Sequence, residues 1–285
     1  MKKLIIKLFK KINLLTEKYS LWLIIVLLLF SSLVKIHRFQ TSYIKVIQSA
    51  DIRYTWEDSV NLARGEKIYN RILEGDLINN QKYPDYWPFI YQLTAFFYQL
   101  GGNLVQYAFF TLLLNLVLES ITTVVIFRQF LKVDKALEGL FFCFIFLINN
   151  YNFFVNGTLQ LDIIIVCLLI ISLLNLKQKP ILASLLYGLS LSIKQFGFFI
   201  LPIYFFYKTN LKNKIKIIIM IVLVPFITAL PFIISQPKGF FTSMIFELIR
   251  KSDRPGGYAL GFFGDVGFLS RLPLFAAYAA MVYLY

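Results

Sequence analysis

The sequence predicts an all-α, polytopic membrane protein, and three observations lead there. First, 58% of the 285 residues are hydrophobic and 18% aromatic, with a mean hydropathy of +0.69. A soluble domain lies nearer about 45–50% apolar. Second, Tyr19–Val34 is an apolar run close to the length needed to cross a ~30 Å hydrocarbon core. Third, the polar residues collect in a few segments between further apolar runs, which gives about seven to nine membrane helices or half-helices.

Residues 1–18 open the chain with six lysines and a single acid, Glu17, interleaved with Leu, Ile and Phe. That pattern is a basic, amphipathic, cytoplasmic lead-in that also meets anionic lipid head groups. The following run is too long, and too poor in small-residue cleavage sites, for a removable signal peptide. The first crossing therefore runs from inside to outside. It delivers residues 36–86 to the extracytoplasmic face as a large first loop carrying amphipathic helices.

Further apolar segments occupy about 87–100, 104–127, 137–155, 161–176, 181–207, 215–235 and 272 to the end. Basic junctions at Arg128–Lys135, Lys177–Lys179 and Lys208–Lys216 should face the cytoplasm. Residues 87–127 must then cross an odd number of times. Either the short segment 87–100, which ends in Gly101-Gly102-Asn103, dips without crossing, or the junction at 128–135 is not cytoplasmic. Ile181–Tyr207 is basic at both ends and needs an even number of crossings. Two half-helices meeting near Lys194-Gln195-Phe196-Gly197 satisfy this and bring Lys194 to the outer side. Residues 236–272 form a second outer loop. The chain ends at Tyr285 within an apolar stretch, as expected of a chain lacking C-terminal helices.

The net charge of +14 does not indicate a nucleic-acid partner, because the lysines and arginines sit in short segments that set topology. Cys143 and Cys167 fall inside apolar segments and read as small core residues. The one histidine, His37, cannot build a metal site. No cofactor or metal is expected.

The acids are distributed unevenly. Seven of fifteen lie between Lys35 and Asp85, and Glu247, Asp253 and Asp265 lie in the second loop. In the first loop Asp51, Thr55 and Asp58 are spaced i, i+4, i+7 and share one helical face. Trp56, Val60 and Ala63 form a more apolar one. A carboxylate at the bilayer surface, with a lysine and arginines near, suits deprotonation of a sugar hydroxyl that attacks an activated anomeric carbon. The cations would offset charge on a phosphate leaving group. Lys194, in the middle of an apolar run, is a functional candidate by default. Glu119 is an intramembrane acid with no evident partner and reads as a hydrogen bonder in helix packing.

At 156–162 the run Asn-Gly-Thr-Leu-Gln-Leu-Asp supplies Gln160 and Asp162 at a membrane border, where such residues bind sugar hydroxyls or cap a helix. Tyr83-Pro84 and Trp87-Pro88 place aromatic rings at the membrane re-entry, as anchors and as stacking surfaces for a sugar or prenyl chain.

In this order the motifs resemble the GT-C superfamily of integral-membrane glycosyltransferases. The resemblance rests on Asp51 shortly after the first helix, with Tyr54 and Ala63-Arg64-Gly65…Tyr69 following. It continues through the Tyr-Pro-rich Tyr83–Pro88, the element Asn156–Asp162, and Gly188-Leu189-Ser190-Leu191-Ser192-Ile193-Lys194 ahead of Pro202. It covers roughly residues 20–235. Arg53 stands where the family's paired acidic motif has its second acid. The resemblance implies one transmembrane domain over 1–285 and a polyprenyl-phosphate-sugar donor, with a hexose or pentose passing to a cell-envelope glycan or lipid on the outer face of a bacterial inner membrane. It implies Asp51 as general base. Lys194, Arg250 or Arg254 would contact the donor phosphate, and Gln160, Asp162, Tyr54 and Asp58 would bind substrate. Two other classes fit the composition: a transporter or flippase of lipid-linked saccharides, which would place ionisable residues at the bilayer midplane, and a non-catalytic membrane subunit.

Overall fold

A computed structural model describes residues 12–47, 50–74, 84, 86–148, 159 and 161–249, and among these no strand occurs. Residues 12–18 are helical, and the major helices follow as α1 (Ser20–Ile47), α2 (Ala50–Ala63), α3 (Arg71–Glu74), α4 (Pro88–Gln99), α5 (Leu104–Leu131), α6 (Ala136–Ile148), α7 (Asp162–Asn175), α8 (Pro180–Leu191), α9 (Leu201–Phe206), α10 (Leu211–Ser235) and α11 (Pro237–Ile249). Three are long and apolar enough to cross a membrane: Ser20–Thr41 within α1, and the whole of α5 and α10. The chain divides into two compact units, residues 1–53 with 103–183 and residues 54–102 with 184–285.

In the first unit α5 packs against α1, α6 and α7. Its start is fixed locally. The Asn103 side chain accepts from the Gln106 N–H, and the Gln106 side chain accepts from the Asn103 N–H, both at 3.0 Å. This reciprocal cap satisfies two amides that a helix start leaves open. The turn from α5 to α6 is held from the N-terminal segment: Asn13 donates to the Asp134 carbonyl at 2.7 Å and accepts from the Leu137 N–H at 3.0 Å. Ile24, Phe127, Ala136 and Cys143 form a buried cluster between α1, α5 and α6.

Helix α5 has the opposite pattern to a soluble amphipathic helix. Thr111, Asn115, Glu119 and Thr123, each four residues apart, are buried. Phe109, Leu113, Val117 and Ile121, with the same spacing, are exposed. Apolar residues outward and polar residues inward is what a lipid solvent selects, since hydrogen-bonding groups gain most where neighbouring helices can meet them.

The structure departs from the sequence reading at two points in this unit. Helix α1 continues beyond the expected border at residue 36 to Ile47. Glu119, for which the sequence shows no partner, is ion-paired with Lys35 of α1: the Lys35 ammonium lies 2.8 Å from each carboxylate oxygen. The charge that marks an apparent end of the apolar run is thus neutralised within the fold, so the helix has no reason to stop there.

In the second unit α10 packs on α4, α9 and α11, and α11 packs on α3 and the preceding 3-10 turn, Ile68–Asn70. Pro225 and Pro231 lie inside α10. Beside them, the Trp87 indole N–H donates to the Pro225 carbonyl and the Gln92 amide to the Thr228 carbonyl, both at 3.0 Å. These side-chain donors tie the start of α4 to the middle of α10. Gly188 lets α8 approach α10 closely, since a Cβ there would stand 2.6 Å from the Ile221 carbonyl oxygen. Pro237–Ile249, within the segment expected as an outer loop, is helical. At 12 residues, α4 is about 18 Å long and too short to cross.

Candidate functional site

Helix α2 starts three residues after the end of α1 and carries Asp51 as its second residue. A carboxylate in the first turn of a helix is favoured by the amides that point toward it. The Asp51 side chain lies outside the described atoms. Gln160, Arg250 and Arg254 lie outside the described residues, as do Asn156–Thr158. Asp162, in the first unit, is the half-buried first residue of α7, following the buried Leu159 and Leu161. It fits the helix-start role as well as a substrate-binding one.

The second unit holds Tyr54, Asp58 and Lys194. Tyr54 is half-buried on α2. Asp58 forms an ion pair with Arg71, the first residue of α3, with side-chain exposures of 7% for the acid and 43% for the arginine. A carboxylate held this way is poorly suited to take a proton from substrate, because the cation stabilises its ionised form. Its evident effect is to fix the direction of a half-exposed guanidinium.

Trp56, on the more apolar face of α2, meets Phe97 and Tyr98 of α4 edge-on, at centroid distances of 6.5 and 5.8 Å. Val60 is buried.

Lys194 sits where the chain changes direction. Helix α8 ends at Leu191, Lys194 takes an extended conformation (φ −153°, ψ 145°), and a 3-10 stretch, Gln195–Ile200, follows. The break is anchored on both sides: the Tyr187 hydroxyl donates to the Gly197 carbonyl at 2.6 Å, and the Trp87 N–H donates to the Ile193 carbonyl at 3.0 Å. The half-buried Lys194 ammonium lies over the Tyr86 ring, 4.9 Å from its centroid. An aromatic face compensates part of the cost of drawing an ammonium out of water.

Tyr86 leads inward to residues that the sequence reading gave no site role, Tyr69 of the motif pattern among them. Its carbonyl accepts from the buried Tyr69 hydroxyl at 2.9 Å, and the Tyr69 N–H donates to the Gln236 side chain at 3.0 Å. The Tyr69 ring meets Tyr91, Phe232 and Phe240 edge-on. Arg71 follows two residues after Tyr69. Arg71 and Lys194 are therefore both supported by contacts of this unit. The motif elements contain Tyr69 and Tyr86, but nothing local pointed to Arg71, since its acid lies 13 residues earlier. Chemically, Lys194 offers a half-buried ammonium on an aromatic face and Arg71 a guanidinium held by Asp58, and cations of this kind suit an anionic head group or phosphate. Among the described residues no group of His, Cys, Asp and Glu could hold a metal ion. No family model, no curated protein and no solved structure matches the chain.

Proposed function

We propose that the chain is a GT-C-type membrane glycosyltransferase, with about seven to nine membrane helices or half-helices, acting at the outer face of a bacterial inner membrane. Its donor is a polyprenyl-phosphate-linked hexose or pentose, and its acceptor is a cell-envelope glycan or lipid. The reading is supported chiefly by the direct succession of α1 and α2, which sets an acid, Asp51, in the first turn of the helix that follows the first candidate membrane span.

In the proposed reaction Asp51 removes the proton from an acceptor hydroxyl. The hydroxyl oxygen forms a bond to the anomeric carbon, and the bond from that carbon to the phosphate oxygen breaks with inversion. Polyprenyl phosphate leaves with the electron pair. Lys194 meets the negative phosphate, together with Arg250 or Arg254. Gln160, Asp162, Tyr54 and Asp58 bind or organise substrate. In membranes holding the chain, polyprenyl phosphate should be released from the polyprenyl-phosphate sugar in proportion to added acceptor. Release no greater than from membranes without the chain would overturn the proposal.

Lys194→Met is expected to raise the donor KM by about tenfold, as loss of one charged contact of about 1.4 kcal/mol would. Folded yield should stay near that of the wild type, because the methionine still covers the Tyr86 ring. Donor titration of both proteins checks this, and an unchanged KM would remove Lys194 from the donor site.

The reading as a flippase of lipid-linked saccharides draws on one specific observation, the ion pair between Lys35 and Glu119 in two candidate membrane spans. Intramembrane ionisable groups often mark transport pathways.

A further inference from the structure

We infer that Lys35 and Glu119 form an assembly lock joining the first two candidate membrane spans. The two residues are 84 positions apart, and their side chains are 1% and 2% exposed. Ile24 meets Phe127 in one cluster while Lys35 meets Glu119, so α1 and α5 run antiparallel. The pair fixes which turn of one helix faces which turn of the other.

With their charged atoms 2.8 Å apart, one in each of the spans Ser20–Thr41 and Leu104–Leu131, the two residues share one depth. The polar stripe around Glu119 belongs to the same face: Asn115 and Thr123 flank it one turn away, and Thr122 is hydrogen-bonded to Cys167 of α7. Apolar packing such as that of Ile24 with Phe127 tolerates slippage, whereas the ion pair does not. Breaking a buried pair by removing one partner is far more harmful than replacing both by apolar residues. A single buried polar contact is also a known way to specify helix register.

The test is the yield of monodisperse full-length protein extracted from membranes, measured for four variants. Lys35→Met and Glu119→Leu should each lower it at least about tenfold, because each leaves a buried charge without its partner. The double variant Lys35→Met/Glu119→Leu should return to within about twofold of the wild type, and so should the exchange Lys35→Glu/Glu119→Lys. Wild-type yield from Lys35→Met would overturn the lock. So would a double variant no better than Lys35→Met alone. Wild-type yield from Glu119→Leu would overturn it as well.

Discussion

Asp51→Asn is expected to lower the rate of sugar transfer by about 10²–10⁴-fold, the range that a positioned general base contributes. The protein should still accumulate and extract like the wild type. Asparagine is nearly isosteric with aspartate and is equally at home at a helix start, so α2 loses little. It cannot accept the acceptor's proton. Turnover should therefore fall without a compensating change in donor KM, the signature of a group needed only in the transition state. Asp58→Asn should behave differently. It loosens Arg71 but keeps an oxygen that can accept from the guanidinium. Its effect on transfer should appear in substrate affinity, the role proposed for Asp58. Rates for the two variants at saturating donor, normalised to extracted protein, separate the roles. A fully active Asp51→Asn would sink the mechanism, and a dead Asp58→Asn with normal affinity would move the base to Asp58.

Gly239→Ala is expected to destabilise the second unit by about 2–3 kcal/mol. The added methyl would stand 2.5 Å from the Asn70 side-chain oxygen, 2.6 Å from the Tyr69 carbonyl oxygen and 2.7 Å from the Tyr69 carbonyl carbon. Two of these three are backbone atoms and cannot rotate away. Tyr69 cannot retreat, because its ring is packed by Tyr91, Phe232 and Phe240 and its N–H is held by Gln236. Relief would have to come from separating α11 from the 3-10 turn, which also disturbs Arg71. Thermal unfolding in detergent should show a lower midpoint for Gly239→Ala, while a midpoint equal to the wild type would mean that this contact yields more easily than its geometry implies.

The sequence announced the helices well and their partners poorly. Apolar runs marked α5, α7 and α10 closely, since membrane length and hydropathy are local properties. The break at Lys194 was also legible, because a basic residue at each end of Ile181–Tyr207 leaves no odd number of crossings. The end of α1 was not. Lys35 ends an apolar run when counted along the chain, yet its acid comes from a helix 84 residues later. The Asp58–Arg71 pair is hidden for the same reason, 13 residues being no helical repeat. At the candidate site the sequence supplied Asp51 and Lys194 through type and position. The support of Lys194 by Tyr86, Tyr69 and Gln236 required the fold, because Gln236 lies 167 residues from Tyr69.

The account's central claim is transfer of sugar from lipid to acceptor, and the fate of the sugar measures it most directly. Purified full-length chain would be reconstituted in liposomes with a polyprenyl-phosphate hexose labelled in the sugar, then supplied on the outer side with bacterial envelope glycolipid. The account predicts that label leaves the donor and appears covalently on the acceptor, in an amount matching the polyprenyl phosphate formed. Label that stays on intact donor while the donor changes leaflet would contradict it and leave lipid-linked saccharide transport as the function.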